Sequence, residues 1–414
     1  MDTKTLRCGL LGRKLGHSYS PAIHERLADY SYRLFEVEPE DLGAFLQERA
    51  FDGLNVTIPY KKDVIPYCAE LSDTARAIGA VNTLVRRADG TLWGDNTDAY
   101  GFSMLVQSSG ADVAGKKALV FGSGGASATA QYVLRRLGAR EVVVISRHGE
   151  DNYENLDRHA DAQIAVNTTP VGMYPNTGVS PVDLHRLPRL EAALDVVYNP
   201  ARTEFLLQAE ARGLRRANGL LMLAAQAKKS CEDFTGEPVD DAKIFSITKA
   251  LEAQMHNVIL IGMPGSGKTT IGTLVAKRLG RTFVDADSAL EREAGMPIPE
   301  IFRREGEAGF RRRETAVLTE LGRQSGLVLA TGGGSVTREE NYPLLHQNGE
   351  IFCLQRALER LPSAGRPVSQ ALGAQTIYAQ RKPLYARFAD AMIDNNGTPE
   401  AAAAQILEVL GCSC

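Results

Sequence analysis

With 414 residues the chain is too long for one comfortable core, and two or three domains are expected. A formal net charge of −3, with 47 basic and 50 acidic residues intermixed, leaves no electrostatic footprint for nucleic acid and points to small-molecule partners. No apolar run is long enough to cross a bilayer, the first residues lack the apolar core of a signal peptide, and the six scattered cysteines form no C-x-x-C pair, so a cytoplasmic protein with free thiols is expected.

Apolar, β-rich runs alternate with helical patterns along the whole chain, the signature of α/β architecture with largely parallel sheets. In the first hundred residues four stretches rich in small polar groups stand out: HSYSP (17–21), NVTIPYK (55–61), GAVNT (79–83) and GDNTD (94–98). Each alone reads equally well as a turn or a strand end. KALVFG (117–122) is a buried-strand pattern; it runs into GSGGAS, then the helical ASATAQYVLRRLG with Gly138 as its stop, then the strand EVVVIS. Strand, glycine turn, helix and strand make a nucleotide-binding βαβ unit, although Ser127 stands where G-x-G-x-x-G has its last glycine. An NAD-binding fold would next place an acidic residue on the ribose hydroxyls. Here the chain reads ISRH, and Arg147 favours the extra phosphate of NADP, the competing reading being an arginine that caps a loop. Only a brief polar stretch separates ISRH from QIAVNTTP, so the crossover helix and strand there should be shortened. DDAKIFSITKALEAQMH reads as one helix leading to a new domain near Met255, with no flexible linker and hence a stiff junction.

A second βαβ unit opens with NVILIG and passes through GMPGSGKT (262–269), which fits G-x-x-x-x-G-K-[ST] between a strand and a helix. Its glycines let backbone N–H groups converge on phosphate, Lys268 neutralises the outer phosphates, and Thr269 offers a hydroxyl to Mg²⁺. RTFVDAD should end the second strand with Asp285 and Asp287. GLVLATGGGSV ends in Gly332, Gly333 and Gly334 without the carboxylate of motor-type ATPases, which argues against hydrolysis for mechanical work. Basic groups gather instead in FRRRE, around Arg366 and in QRKPLYARFAD. Separate arginines converging with an aspartate suit a small anionic polyol. Read singly, Arg311 and Arg312 could be an exposed helix face, Glu314 a surface partner and the three glycines a turn. The terminal CSC reads as a frayed tail.

Taken together, the phosphate loop, FVDAD, GFRRRE, TGGGSV, GRP and RKPLY resemble shikimate kinase over residues 257 to 410. The four early polar stretches, with NTTPVGM, DVVYNP and NGLLMLAAQ, resemble shikimate dehydrogenase over residues 5 to about 250. The resemblance implies an α/β chain: a two-domain dehydrogenase with a Rossmann-like NADP domain, then a P-loop kinase with a parallel five-stranded sheet. The implied domains are 1–103 for substrate, completed by helices from 219–255, then 104–218 for NADP and 256–414 for the kinase. In the first half it implies that Ser18 and Ser20 bind the substrate carboxylate, with Asn55, Thr57, Asn82, Tyr198 and Gln226 completing the pocket, and that Lys61 and Asp98 form the catalytic pair. A ring ketone gaining hydride develops negative charge on oxygen, which an ammonium held by a carboxylate can stabilise and protonate. NADP contacts would come from Gly122, Ser123, Gly124, Gly125, Ala126, Ser146 and Arg147, with Asp73, Val196 and Gly219. The chain continues HGEDN where the family often has a second arginine, which bears on strict NADP preference.

In the second half the resemblance implies that Gly265, Ser266, Gly267, Lys268, Thr269, Thr270 and the lid residue Arg366 hold ATP, and that Asp287, Arg311, Gly333 and Arg381 hold shikimate. Thr269 and, through water, Asp285 would serve Mg²⁺, and Asp287 would orient or deprotonate the attacking hydroxyl. Thr398 stands where many relatives carry a basic residue near the adenine, and the lid from Leu361 to Gln370 is compact. Three alternatives stay open: a quinate dehydrogenase using NAD, a kinase for another small polyol such as gluconate, or one half serving as a regulatory binding module.

Overall fold

The computed structural model describes residues 5–16, 18–361 and 373–411. The chain forms two compact units, the first from Met1–Met173, Val179–Tyr198 and Phe205–Ala250, the second from Tyr174–Gly178, Asn199–Glu204 and Leu251–Cys414. The division falls between Ala250 and Leu251, inside a single helix Ala242–Met255.

The first unit holds two sheets. One has six strands in the order Ser31–Glu36, Arg7–Gly12, Gly53–Val56, Thr83–Arg86, Leu92–Asp95 and Glu70–Leu71. It is mixed rather than all parallel, because Thr83–Arg86 runs antiparallel to both of its neighbours. The other has five parallel strands in the order Arg215–Ala217, Ala192–Asp195, Ile164–Asn167, Lys117–Phe121 and Glu141–Ile145. The near-continuous apolar run of Lys117–Phe121 follows from burial on both faces. Ala118 and Val120 point into one core with Phe102, Leu105 and Val133, while Leu119 and Phe121 point into another with Ile145, Phe205 and Leu206. Between Ile145 and Ile164 the usual crossover helix is reduced to a 3₁₀ turn, Leu156–His159, and Glu141–Ile145 is left at the sheet edge. Helix Asp98–Ser109 runs straight through the domain limit expected at residue 103.

The second unit is built on five parallel strands in the order Phe283–Asp285, Val328–Ala330, Asn257–Ile261, Gly349–Gln355 and Ala391–Asp394. Ile259 and Ile261 face one apolar layer and Val258 and Leu260 the other. The strand order leaves Asn257–Ile261 central, so the loops after it and after its neighbours gather at one carboxyl edge, where open α/β sheets bind ligands. Helix Ile298–Arg323 bends at Gly306, whose φ of 67° lies in the left-handed region, and the rings of Phe302 and Phe310 stack across the bend at 4.7 Å. Among the described residues no helix is long and apolar enough to cross a membrane. Cys8, Cys68, Cys231 and Cys353 are free thiols, and Cys412 and Cys414 lie outside the described residues.

Candidate active sites

In the second unit the loop after Asn257–Ile261 leads into helix Lys268–Leu279 with Gly267 at its cap, φ 93°, a backbone conformation that side-chain-bearing residues avoid. The loop is braced from outside by Asn395, whose Nδ2 donates to Ser266 O. Lys268 Nζ donates to the carbonyls of Gly262 and Met263 at 2.9 and 3.1 Å, so the ammonium lies folded over the loop it serves. Thr269 Oγ1 donates to Asp285 Oδ2 at 2.8 Å, and this hydroxyl and carboxylate are hard oxygen donors of the kind that hold Mg²⁺ together with water and phosphate. Asp285 does end its strand, and its other oxygen caps helix Ala286–Ala294 by accepting from the N–H groups of Asp287 and Ser288. Asp287 therefore sits in the first helical turn and not on the strand as expected from FVDAD, because the Asp285 carboxylate satisfies the orphan amides at a helix start.

These groups line a cavity of about 830 Å³ whose walls include Gly265, Gly267, Lys268, Thr269, Thr270, Asp285, Asp287, Arg311, Glu314, Gly333 and Arg381. Burial, reinforced by Glu314 and Asp285, raises the Asp287 carboxyl to about 6 against the pull of Lys268 and Arg311. Arg311 is buried rather than on an exposed face: its Nη1 meets Glu314 Oε2 at 2.6 Å and its guanidinium lies over Phe310. Arg312 is exposed. Arg381 Nη1 and the Tyr385 hydroxyl both donate to Gly333 O, at 2.9 and 2.5 Å. The run of glycines has a steric reason. A Cβ on Gly332 would come within 2.4 Å of Glu314 Oε1 and 2.8 Å of Asp287 Oδ1, and one on Gly334 within 2.2 Å of Arg311 Nη2. Arg366 and most of the lid lie outside the described residues. Glu314, Tyr385 and Asn395 were not among the expected site residues; the spacing of arginine and glutamate in FRRRE was the available signal for Glu314.

In the first unit Lys61 Nζ and Asp98 Oδ2 are 2.5 Å apart, both largely shielded. Asp98 is the first residue of helix Asp98–Ser109, where the helix dipole favours a carboxylate. The polar stretches supply the surroundings: Ser18 Oγ accepts from Ser20 N at 3.2 Å, Thr57 follows the strand that carries Asn55, and Tyr19 meets Tyr198 edge to face at 6.1 Å. Asn82 is buried, its Oδ1 accepting from Thr97 N at 2.7 Å, and Gln226 is buried on helix Leu220–Thr235. Asn55, expected in the polar pocket, is buried with its amide engaged by protein groups. Its Nδ2 donates to Ser230 Oγ at 2.7 Å and Thr83 Oγ1 at 3.3 Å, and its Oδ1 accepts from the Tyr32 hydroxyl at 2.8 Å.

For the dinucleotide, Gly122 turns the chain with φ 106° after strand Lys117–Phe121, Gly124 caps helix Gly125–Arg136, and Ser123 and Ala126 flank them. Ser127 is fully buried and its Oγ accepts from Gln131, so a small hydroxyl is accommodated at that position. Ser146 and the exposed Arg147 follow the edge strand Glu141–Ile145. Gly219 lies against Val196 so closely that a Cβ would fall 2.0 Å from Val196 O, which brings these two predicted residues together. Asp73 is exposed in the first turn of helix Asp73–Ile78, paired with Arg76 at 2.8 Å. Among the described residues no group of three or more His, Cys, Asp or Glu side chains could hold a metal.

A family model of shikimate kinase matches residues 264–411, and one of the shikimate dehydrogenase substrate binding domain matches residues 10–84. The NADP(+) shikimate dehydrogenase of Clostridium perfringens is 36% identical over 267 residues, spanning 59% of this chain and 98% of the relative. The chain belongs to the shikimate dehydrogenase family. The dehydrogenase part is also similar to a solved chorismate mutase/shikimate 5-dehydrogenase fusion protein from Clostridium acetobutylicum, with a TM-score of 0.58 and 36% identity, covering 60% of this chain and 97% of that one. A shikimate 5-dehydrogenase from Thermus thermophilus, solved with NADP(H) and shikimate, gives a TM-score of 0.54 and 33% identity, covering 59% of this chain and 99% of that one. Beyond this dehydrogenase, the chain carries a shikimate kinase domain.

Proposed function

We propose that this bifunctional enzyme reduces 3-dehydroshikimate to shikimate with NADPH in its first unit and phosphorylates the 3-hydroxyl of shikimate with ATP in its second. The observation that carries the reading is that one chain holds both the shielded Lys61–Asp98 pair and a phosphate loop sharing one cavity with Asp287, Arg311 and Arg381. The two reactions are consecutive steps of the shikimate pathway, and small molecules are the partners in both.

In the dehydrogenase NADPH, when bound, would supply hydride. The Lys61 ammonium, steadied by Asp98, stabilises the charge that develops on the carbonyl oxygen and delivers the proton. Ser18, Ser20, Thr57, Asn82, Tyr198 and Gln226 bind and orient the ring. Gly122 to Ala126, Ser146 and Arg147 hold the dinucleotide, with Asp73, Val196 and Gly219 beside it. In the kinase Arg311 and Arg381 grip the carboxylate, Asp287 takes the proton of the attacking hydroxyl, and Lys268 with the loop amides balances phosphate charge. Mg²⁺ held near Thr269 and Asp285 would neutralise phosphate oxygens. We place the dehydrogenase substrate domain in residues 1–103 with helices from 219–255, the NADP domain in 104–218 and the kinase from 256, and the whole in the cytoplasm.

The test is an assay of the purified chain with 3-dehydroshikimate and NADPH, followed by ATP and Mg²⁺, reading cofactor oxidation and the phosphorylated product separately. Lys61→Ala should abolish only the first signal and Lys268→Ala only the second. Survival of a signal after its own substitution overturns that assignment.

A further inference from the structure

Ser230 stands on the inner face of helix Leu220–Thr235, one turn beyond Gln226, where a serine alone would be read as a residue bonded back to its own helix. It does donate to Gln226 O at 2.9 Å. Its single proton is thereby used, and its oxygen can only accept. Three groups lie within hydrogen-bond reach of it: Asn55 Nδ2, a donor, at 2.7 Å, and the hydroxyls of Thr97 at 3.0 Å and Thr83 at 3.1 Å. The two threonines are 3.1 Å from each other, and each hydroxyl is also 3.1 Å from Asn82 Oδ1. Ser230, Thr83, Thr97, Asn55 and Asn82 are all at most 4% exposed.

Proton accounting closes this cluster. With one threonine hydroxyl donating to Ser230 and the other to Asn82 Oδ1, every hydroxyl proton has an acceptor, and both Asn55 Nδ2 hydrogens are taken by Ser230 and Thr83. Asn82 Oδ1 then receives Thr97 N and a hydroxyl. A flip of the Asn82 amide would set an NH₂ group against the Thr97 N–H, so the oxygen is pinned inward. The Asn82 amide hydrogens are left as the only face it can show a ligand, a donor face that selects an oxygen acceptor. Thr97 immediately precedes Asp98, so the same cluster anchors the start of the helix that carries the catalytic carboxylate.

We infer that Ser230, Thr83 and Thr97 form a buried hydroxyl lock, completed by Asn55, that sets the amide orientation of Asn82 and thereby the affinity of the dehydrogenase for its hydroxylated ring substrate. They are positioning residues, and Asn55 belongs with them rather than with the groups that touch substrate. The inference rests on the dehydrogenase reading above and deepens it.

The test uses the full chain, with KM for NADPH as the check that the dehydrogenase unit stays folded and kinase turnover as the check on protein concentration. Ser230→Ala should raise KM for 3-dehydroshikimate roughly tenfold, the scale of one net hydrogen bond, with kcat changed less than about threefold. KM for NADPH and the kinase rate should stay as they were. In an Asn82→Ala background the same substitution should add little, because its effect passes through that amide. Thr83→Val should repeat the KM effect at nearly constant volume and Thr83→Ser should restore it, which separates lost hydrogen bonding from lost packing. An unchanged KM in both Ser230→Ala and Thr83→Val, or full additivity with Asn82→Ala, overturns the lock. Absence of dehydrogenase turnover in the unaltered protein would instead overturn the functional reading on which it rests.

Discussion

Arg311 and Glu314, three residues apart on one helix, are joined by a buried ion pair at 2.6 Å, and each keeps a buried polar atom with no partner among the described residues, Nε on the arginine and Oε1 on the glutamate. A pair of this kind gains little net stability by existing, but removing one member strands the other charge in a poorly solvated place. Glu314→Ala should therefore lower the stability of the kinase by about 3 kcal/mol and raise KM for shikimate as the unheld guanidinium moves. Thermal unfolding together with kinase kinetics checks both effects, and a variant as stable as the parent would count against the pairing.

Asp287 has its proton affinity raised to about 6, chiefly by burial. Its charged form is thus the costly one in the folded protein. The stability it contributes is complete below the ordinary carboxylate range and is lost as pH rises through about 6. At pH 7.5 Asp287→Asn should stabilise the kinase by on the order of 2 kcal/mol while lowering kcat at least a hundredfold, since the proton acceptor is gone. The kinase rate of the unaltered chain should fall as pH drops below about 6. Calorimetry and a pH–rate profile measure the two halves of this trade-off.

Gly334→Ala puts a methyl group where Arg311 Nη2 now lies, only 2.2 Å from the new Cβ. The arginine is held by Glu314 and packed on Phe310, so it cannot retreat without losing its partner. KM for shikimate should rise tenfold or more while KM for ATP changes little. Equal increases in both constants would show that the loop as a whole had been displaced.

Arg147 is exposed after the edge strand, free to meet an anionic group from solvent. Arg147→Ala should lower kcat/KM for NADPH by about tenfold to a hundredfold, the worth of a charge-assisted contact, and leave the value for NADH nearly unchanged. Comparing the two dinucleotides on wild type and variant measures the preference directly.

How much of this was legible in the sequence depended on whether a residue's role is local. The phosphate loop, the strand KALVF and the helix across the domain junction could be read because periodicity and glycine spacing are properties of contiguous residues. Asp287 was misplaced by one structural element, because FVDAD does not say that its first aspartate will cap a helix against its second. The mixed character of the six-stranded sheet was missed because strand direction is decided by pairing partners remote in the chain. Ser230 and Thr83 lie 147 positions apart, and nothing in the neighbourhood of either announces the other. The same holds for Asn395, which braces a loop 129 positions earlier.

The bend at Gly306 lets both limbs of one helix line the kinase cavity. Ile298 and Phe302 on one limb and Phe310, Arg311 and Glu314 on the other all contribute to its wall, so a single bend in one helix positions part of the apolar side and part of the charged side together. A side chain at that bend would not merely straighten a helix; it would alter the width of the chamber and the reach of its guanidinium in one stroke.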